Sequence, residues 1–146
     1  FYELRSAWDG KSKPSEIAIP QHEPDGSIKI TGNTGIVFVL LPGGTFWMGA
    51  QNQGKEGLNY DPQAYDSPVH EVSLSPFLLA RHEMTKGQWL RLCSGEDPSL
   101  YEDGIKYNGN PEEVGYAHPI EQVDWLMCES LLIRHGLVLP TEAQWE

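Results

Sequence analysis

Two polar segments of around twenty residues each most restrict what this chain can fold into. "AQNQGKEGLNYDPQAYDSP" runs from Ala50 to Pro68, and an acidic stretch rich in Gly, Asn and Pro runs from Ser94 to Ala117. Only short strand and helix patterns lie around them, and 15 Gly and 11 Pro are typical of a chain with many turns. We therefore predict an α+β fold with much irregular structure, at about the size of one domain.

The strongest strand signal is "GIVFVLLPGGTFWMG". Its apolar run, Ile36–Leu41, is rich in β-branched residues and is broken by "PGG", which is typical of a buried strand that enters a tight turn. Phe46–Met48 is then predicted to be the returning strand. Further along, "VHEVSLSPFLLA" indicates extended structure, because Val72 and Leu74 alternate with polar neighbours.

The period changes at "HEMTKGQWLRLC", where a helix is predicted from about Lys86 to Cys93. Thr85 and Gln88 form a T-x-x-Q capping box, in which each side chain bonds the backbone N–H of the other residue. Met84 and Trp89 occupy the two positions of a hydrophobic staple across the same helix start. These local signals predict the helix without any tertiary information.

A second helix is predicted after Asp124, whose carboxylate suits an N-cap. Gly136 suits the left-handed position that closes this helix. The pattern places four residues on its apolar side: Trp125, Cys128, Leu131 and Leu132. Thr141 and Gln144 then repeat the T-x-x-Q box, and we expect the helix that Thr141 begins to continue beyond this chain.

Charge limits the classes of partner. Ten Lys and Arg stand against 21 Asp and Glu, which gives a formal net charge of −11. This balance disfavours binding to nucleic acid or to an anionic membrane surface. The compartment is not determined by the sequence, with the bacterial cytoplasm favoured.

Four motifs then occur in a meaningful order: "PGGTFWMG", "SPVHEVSLSPFLLARHEMTKGQWL", "HPIEQVDW" and "LPTEAQWE". In that order they resemble the formylglycine-generating enzyme family, also called sulfatase-modifying factor domains. The resemblance covers residues 35–146 and implies the N-terminal portion of such a domain, truncated after "LPTEAQWE". Residues 1–34 form a lead-in, predicted to be hairpin-like from short apolar pieces at Phe1–Leu4 and Ile28–Ile30. This lead-in looks like sequences that precede such domains in large bacterial proteins, some of which carry a protein kinase upstream.

The resemblance implies a loop-rich variant of the C-type lectin fold. It also implies an oxidoreductase that converts a cysteine of a sulfatase peptide to Cα-formylglycine, using oxygen and a copper ion held by two cysteines. The family's copper cysteines and calcium sites lie downstream of the last motif, so we expect copper and calcium in a complete domain and assign no catalytic, cofactor or metal residue here. The sequence departs from the family at Met127, Cys128 and Val138, which suggests a divergent member.

Several residue types invite a sharper interpretation. Cys93 and Cys128 would suit copper, but neither matches the family's catalytic pair, and two free core thiols are favoured over ligands or a disulfide. Iron ligation is known from a related branch, the iron-dependent sulfoxide synthases. For its candidate ligands, surface or hydrogen-bonded roles are favoured: His70, His82 and His118.

The remaining candidates also have a plainer interpretation. Three oxygen-bearing residues could approach Ca²⁺ but fit no EF-hand spacing, so turn roles are favoured: Asn59, Asp61 and Asp66. Four aromatic residues could line a peptide groove, although core packing is favoured: Trp47, Trp89, Trp125 and Trp145. Three acidic residues could act as general bases, although capping or ion pairing explains them: Glu83, Glu121 and Glu142.

Two functions therefore remain open. The first is a formylglycine-generating oxidase that acts on a sulfatase-like peptide, with its catalytic part outside this chain. The second is a non-catalytic, lectin-like recognition module appended to a bacterial signalling protein such as a serine/threonine kinase. The family resemblance favours the first, whereas the lead-in and the departures at Met127 and Val138 favour the second.

Overall fold

The protein is described by a computed structural model that covers residues 1–65, 67–107 and 112–146. Its strands are β1 (Phe38–Leu41), β2 (Gly44–Ala50), β3 (Ser67–Leu74) and β4 (Phe77–Ala80). Its helices are α1 (Lys86–Cys93), α2 (Trp125–Arg134) and α3 (Glu142–Trp145), besides two 3₁₀ turns in the lead-in at Arg5–Ala7 and Pro14–Glu16. This mixture confirms the α+β class. The chain divides into two compact units, residues 1–39 with 80–139, and residues 40–79 with 140–146.

The strands form two ribbons of two strands each: β2 pairs with β3, and β1 pairs with β4. In the antiparallel β2–β3 ribbon, Thr45 faces Ser73 and Trp47 faces Glu71. The prediction that Phe46–Met48 returns along Ile36–Leu41 is therefore wrong. Gly43, with φ +73°, lies so close to β3 that a Cβ on it would be 2.4 Å from the carbonyl oxygen of Leu74, which directs β2 toward β3.

Strand β1 is also less buried than its composition predicts. Three of its four residues are half-buried, and Leu40 leaves 58% of its surface exposed. A two-stranded ribbon offers no further strand to cover such a side chain, so apolar residues alone do not make this strand a buried one.

Helix α1 begins as the sequence predicts. The Thr85 N–H donates to Gln88 Oε1 at 2.9 Å, and the Gln88 N–H donates to Thr85 Oγ1 at 3.3 Å. The next two N–H groups, of Lys86 and Gly87, donate to the carbonyls of His118 and Tyr116, both at 2.9 Å. The helix start is thus satisfied by its own cap and by a distant segment of the chain.

The other two helices also have the predicted caps. Asp124 Oδ1 accepts from the Met127 N–H at 2.8 Å, and Gly136 follows α2 with φ +70°. Thr141 and Gln144 close a second capping box at α3. These features follow from side chains within four residues of each helix end, which is why the sequence alone predicts them.

The core of the first unit lies between α1, α2 and the start of β1. Its fully buried residues are Ile36, Trp89, Leu92 and Leu131. Met84 packs against this cluster, which contains Trp89, in agreement with the predicted staple. Trp125 was expected on the same side of α2 as Leu131 and Leu132, but 59% of its surface is exposed because it lies in the first turn, beyond the helix surface that the core covers.

Candidate functional site

The two cysteines mark the first candidate site. Cys93 lies at the end of α1 and Cys128 lies in α2, and both are half-buried free thiols that pack against the core cluster. The Cys93 thiol donates to the carbonyl oxygen of Glu96 at 3.3 Å. Burial, and then the negative charge of Asp124, raise the pKa of the Cys128 thiol. Both residues are therefore placed as free core thiols, and burial disfavours the thiolate form of Cys128.

This arrangement does not fit copper. A soft Cu(I) ion binds thiolates, so its ligands must lose their protons. The low-dielectric surroundings of Cys128 and the nearby Asp124 carboxylate oppose that loss, whereas a cationic neighbour would favour it. No step of copper chemistry is therefore derived for these two residues.

A cleft of about 350 Å³ lies beside Cys93, between α1 and α2. Its floor is apolar and includes the buried Trp89 and Leu131, while Leu126 and Met127 form a more exposed edge. Asp124 and Arg134 line it as well, so opposite charges are available along one cleft. Such a cleft can hold an apolar side chain and orient a polar or charged group beside it.

The three histidines lie on different segments and have separate surroundings. His70 is exposed in β3, where its Nδ1 lies 2.8 Å from the carbonyl oxygen of Pro68. His118 is half-buried, and its Nδ1 lies 2.9 Å from the Gly115 N–H, which donates to it. His82 is exposed just before α1. Local hydrogen bonds therefore account for His70 and His118, as the sequence indicates.

Two of the possible calcium ligands have structural roles in the turn. Asn59 donates from Nδ2 to the carbonyl oxygens of Trp47 and Gly49 at 2.7 and 2.8 Å, which ties the turn to β2. Asp61 Oδ1 accepts from the Gln63 N–H at 2.8 Å. Asp66 lies outside the described residues. The donor set around Asn59 and Asp61 does not fit Ca²⁺, which takes six to eight oxygen ligands.

Only one of the four candidate tryptophans packs as predicted. Trp89 is 5% exposed, whereas Trp47, Trp125 and Trp145 are 47%, 59% and 72% exposed. The prediction of core packing is therefore wrong for the last three. Trp47 illustrates the reason, because in β2 it faces away from the side on which its neighbour Met48 is buried.

The three acidic candidates are also dispersed. Glu121 Oε1 accepts from the Tyr101 N–H at 2.9 Å, so it holds the loop before it. Glu83 is exposed, and Glu142 is exposed in the first turn of α3, where the helix dipole favours a negative charge. Within the described part of the chain, no three His, Cys, Asp or Glu side chains gather closely enough to hold a metal ion.

No sequence signal predicts the ion pair between the buried Lys86 of α1 and Asp97 in the loop that follows. Lys86 is 1% exposed, and its Nζ lies 3.4 Å from Asp97 Oδ2 and donates to the carbonyl oxygen of Tyr101. A lysine in the first turn of a helix is normally solvated, so its pattern predicts a surface residue. Only the position of residues 97–101 over α1 reveals the pair.

None of the described helices combines the length and apolar character that crossing a bilayer requires.

Comparison with known proteins agrees with the resemblance that the motifs indicate. A family model described as a sulfatase-modifying factor enzyme 1-like domain matches residues 29–146. The chain is also similar to serine/threonine-protein kinase pkn1 of Chlamydia caviae, with 34% identity over 121 residues. It is 31% identical over 121 residues to the kinases of the same name from Chlamydia pneumoniae and Chlamydia trachomatis. Each match covers 74% of this chain and 18% of the relative, so the chain spans under a fifth of their length.

Proposed function

The chain belongs to the family of sulfatase-modifying factor enzyme 1-like domains, and we propose that it acts as a non-catalytic recognition module. In this proposal the module is part of a bacterial signalling protein with a serine/threonine kinase domain in the same polypeptide, located in the cytoplasm. Its partner is a peptide or protein, and neither nucleic acid nor a membrane surface suits a chain of net charge −11.

The observation that carries the proposal is the cleft between α1 and α2, whose apolar floor and opposite charges at Asp124 and Arg134 suit a peptide side chain. The two cysteines are packing residues. Both side chains pack against the core cluster, and the Cys93 thiol donates a hydrogen bond to the carbonyl oxygen of Glu96.

The relatives support the signalling context. The three similar proteins are named serine/threonine kinases, and the matched region is 18% of each. A region of that size leaves ample length in those proteins for a kinase domain of its own. We extend this arrangement to the present protein as part of the proposal.

The finer fold also belongs to the proposal. We propose that residues 35–146 follow the loop-rich C-type lectin arrangement of the family, in agreement with the short strands and helices of the two units. Copper and calcium remain expectations for a complete family domain, and we propose that Cys93, Cys128, Asn59 and Asp61 bind neither.

A second candidate function rests on the family match itself. The family includes oxidases that form Cα-formylglycine on sulfatase peptides, and the match extends over residues 29–146. In that case the described residues would support the fold, and a sulfatase-like cysteine peptide would be the substrate.

Steady-state kinase kinetics test the recognition role. The natural protein at its full length is compared with a variant in which a Gly/Ser linker of equal length replaces residues 35–146, which removes the module but keeps a flexible connection. We expect the linker variant to phosphorylate a short peptide with unchanged kcat and KM. For a folded protein substrate such as myelin basic protein, we expect KM to rise about tenfold, since binding outside the catalytic site is lost.

Two results would count against the proposal. Equal KM values for the protein substrate would show that the module contributes no binding. Absence of phosphotransfer by the full-length protein would remove the kinase context, and formation of an aldehyde on a sulfatase-type peptide would favour the oxidase instead.

A further inference from the structure

The lead-in (residues 1–34) lies against α1 through the guanidinium group of Arg91. Arg91 Nη1 donates to the carbonyl oxygen of Gly32 at 2.7 Å and Nη2 donates to that of Thr34 at 3.3 Å. Nε donates to the carbonyl oxygen of Ser6. One side chain of α1 thus binds three carbonyls at both ends of the lead-in, which no local sequence signal indicates.

Gln88 makes a second contact from the same helix. Its amide Nε2 donates to the Thr34 carbonyl oxygen at 3.1 Å, while its Oε1 accepts from the Thr85 N–H at 2.9 Å. Gln88 is 4% exposed, so both bonds are shielded from water. The residue that closes the capping box of α1 therefore also holds the end of the lead-in.

The start of the lead-in is fixed to the segment that enters β1. Ser6 is fully buried, and its Oγ accepts from the Ile36 N–H at 2.8 Å and donates to the Glu3 carbonyl at 2.9 Å. The Glu3 N–H donates to the Ile36 carbonyl at 2.9 Å, and the Tyr2 hydroxyl accepts from the Gly35 N–H at 2.7 Å. Tyr2 pairs with Val37 and Ile28 pairs with His22 as isolated antiparallel bridges, so the two apolar pieces of the predicted hairpin do not pair with each other.

Close backbone packing accompanies these bonds. A Cβ on Gly35 would lie 2.6 Å from the Glu3 carbonyl oxygen, and a Cβ on Gly32 would lie 2.9 Å from the Cβ of Tyr116. Two glycines of the lead-in and its junction thus permit contacts that a larger residue would prevent. Contacts of this closeness are found in packed interiors and would be unusual in a linker.

The partial burial of Arg91 makes its hydrogen bonds to the lead-in important for the stability of the fold. Loss of solvent lowers the pKa of its guanidinium, which marks a charged group taken out of water. Such a group needs hydrogen-bond partners, and here they are carbonyls of the lead-in. The core residue Ile36 is held by Ser6 in the same region, so removing the lead-in would leave both the charge and a core N–H without partners.

We propose that residues 1–34 act as a structural strap of the first compact unit, held against α1 by the hydrogen bonds of Arg91. The family match begins at residue 29, so most of this strap lies outside the region that the family model covers. The strap joins the entry of β1 to α1, and its displacement would remove hydrogen-bond partners of Arg91, Gln88 and the Ile36 N–H.

Hydrogen exchange of the natural protein at full length tests the strap. In the unsubstituted protein we expect the amides of Glu3, Gly35 and Ile36 to exchange at least roughly a hundredfold more slowly than unstructured amides. Arg91→Lys keeps the positive charge but loses the planar fork, so we expect protection of these three amides to fall by roughly tenfold or more. Arg134→Lys is the matched control, since among the described residues Arg134 donates to the Ser130 carbonyl of its own helix and not to the lead-in, and we expect no change there.

A cleavage experiment keeps the proposal testable should an Arg91 variant not fold. A lysine-specific protease should cut the unsubstituted protein after the exposed Lys11, and we expect the fragment ending at Lys11 to co-elute with the remainder in gel filtration. Release of the fragment, random-coil exchange at Glu3 and Ile36, or equal protection in Arg91→Lys and the unsubstituted protein would each overturn the proposal.

Discussion

Gly87 in α1 lies directly against the carbonyl group of Gly32, so closely that a Cβ on Gly87 would be 2.3 Å from that oxygen. In an exposed helix, replacing Gly by Ala stabilises the fold by about 0.5–1 kcal/mol. The contact with Gly32 reverses that sign, because the added methyl group requires backbone to move.

We predict that Gly87→Ala lowers the free energy of unfolding by about 1–3 kcal/mol. The measurement is a urea titration of the full-length protein followed by circular dichroism. Gly115→Ala is the control, since a Cβ there would meet its nearest neighbour at an ordinary 3.8 Å. A Gly87→Ala variant as stable as the unsubstituted protein would show that α1 does not pack against Gly32 in this way.

The cap of α1 gives a second prediction. Thr85 is 3% exposed and its Oγ1 accepts from the Gln88 N–H. In the full-length protein, Thr85→Ala should lower the free energy of unfolding by about 0.5–2 kcal/mol, because this N–H then loses its cap. Thr85→Ser retains the hydroxyl and should recover most of the loss. Equal urea midpoints for the Ala and Ser variants would show that the hydroxyl contributes nothing.

The Lys86–Asp97 pair gives a third prediction, for the pH dependence of stability. Burial opposes the ionisation of Asp97, but hydrogen bonding from Ser99 and the charge of Lys86 outweigh it and hold the pKa of this carboxyl below its ordinary 3.8. A lowered pKa in the folded state means that the stabilisation is present above the unfolded pKa and lost as the pH falls through the folded one. The loss is therefore expected below about pH 4.

Asp97→Asn should accordingly remove part of this acid sensitivity. We expect the unsubstituted protein to be more stable than the variant at neutral pH, and the difference to shrink as the pH falls below about 4. Thermal melts at a series of pH values measure it, with Asp103→Asn, an exposed residue of the same loop, as control. A constant difference at every pH would mean that the charge of Asp97 does not contribute.

Local interactions explain what could be predicted from the sequence. The caps at Thr85, Asp124 and Thr141 depend on groups within three residues of one another, and all three are observed. Their side chains determine both the helix start and the first hydrogen bonds, so no distant partner is needed.

Interactions between distant residues explain what could not be predicted. No periodic pattern in the sequence indicates that β1 pairs with β4. None indicates the hydrogen bond from Arg91 to the Gly32 carbonyl either, since the two residues are 59 positions apart. At the candidate site, residue types indicated Cys93 and Cys128, but the sequence could not show their surroundings. The structure shows the hydrogen bond from the Cys93 thiol to Glu96 and the burial that raises the pKa of Cys128. The exposure of Trp125 likewise depends on which face of α2 the core covers.

That exposed face gives a fourth prediction. Leu126 and Ile133, about two turns apart on α2, are 64% and 61% exposed. We expect the 146-residue chain to be poorly folded or prone to aggregation, and to bind a hydrophobic dye such as ANS. Leu126→Lys combined with Ile133→Lys should reduce dye binding and light scattering, whereas Leu100→Lys, at a site also 64% exposed, should have less effect. A sharp two-state urea transition without dye binding would contradict this expectation.

The assignment of Cys93 and Cys128 as core thiols is tested most directly by mass spectrometry of a sulfatase-type cysteine peptide. The chain is incubated with the peptide, copper and oxygen, beside a complete formylglycine-generating enzyme as positive control. Because both cysteines are free thiols that pack against the core, we predict that the peptide cysteine stays unconverted while the control forms the aldehyde. Aldehyde formation by this chain that disappears in Cys93→Ala or Cys128→Ala would contradict the account, since it would make these thiols ligands of a working copper site.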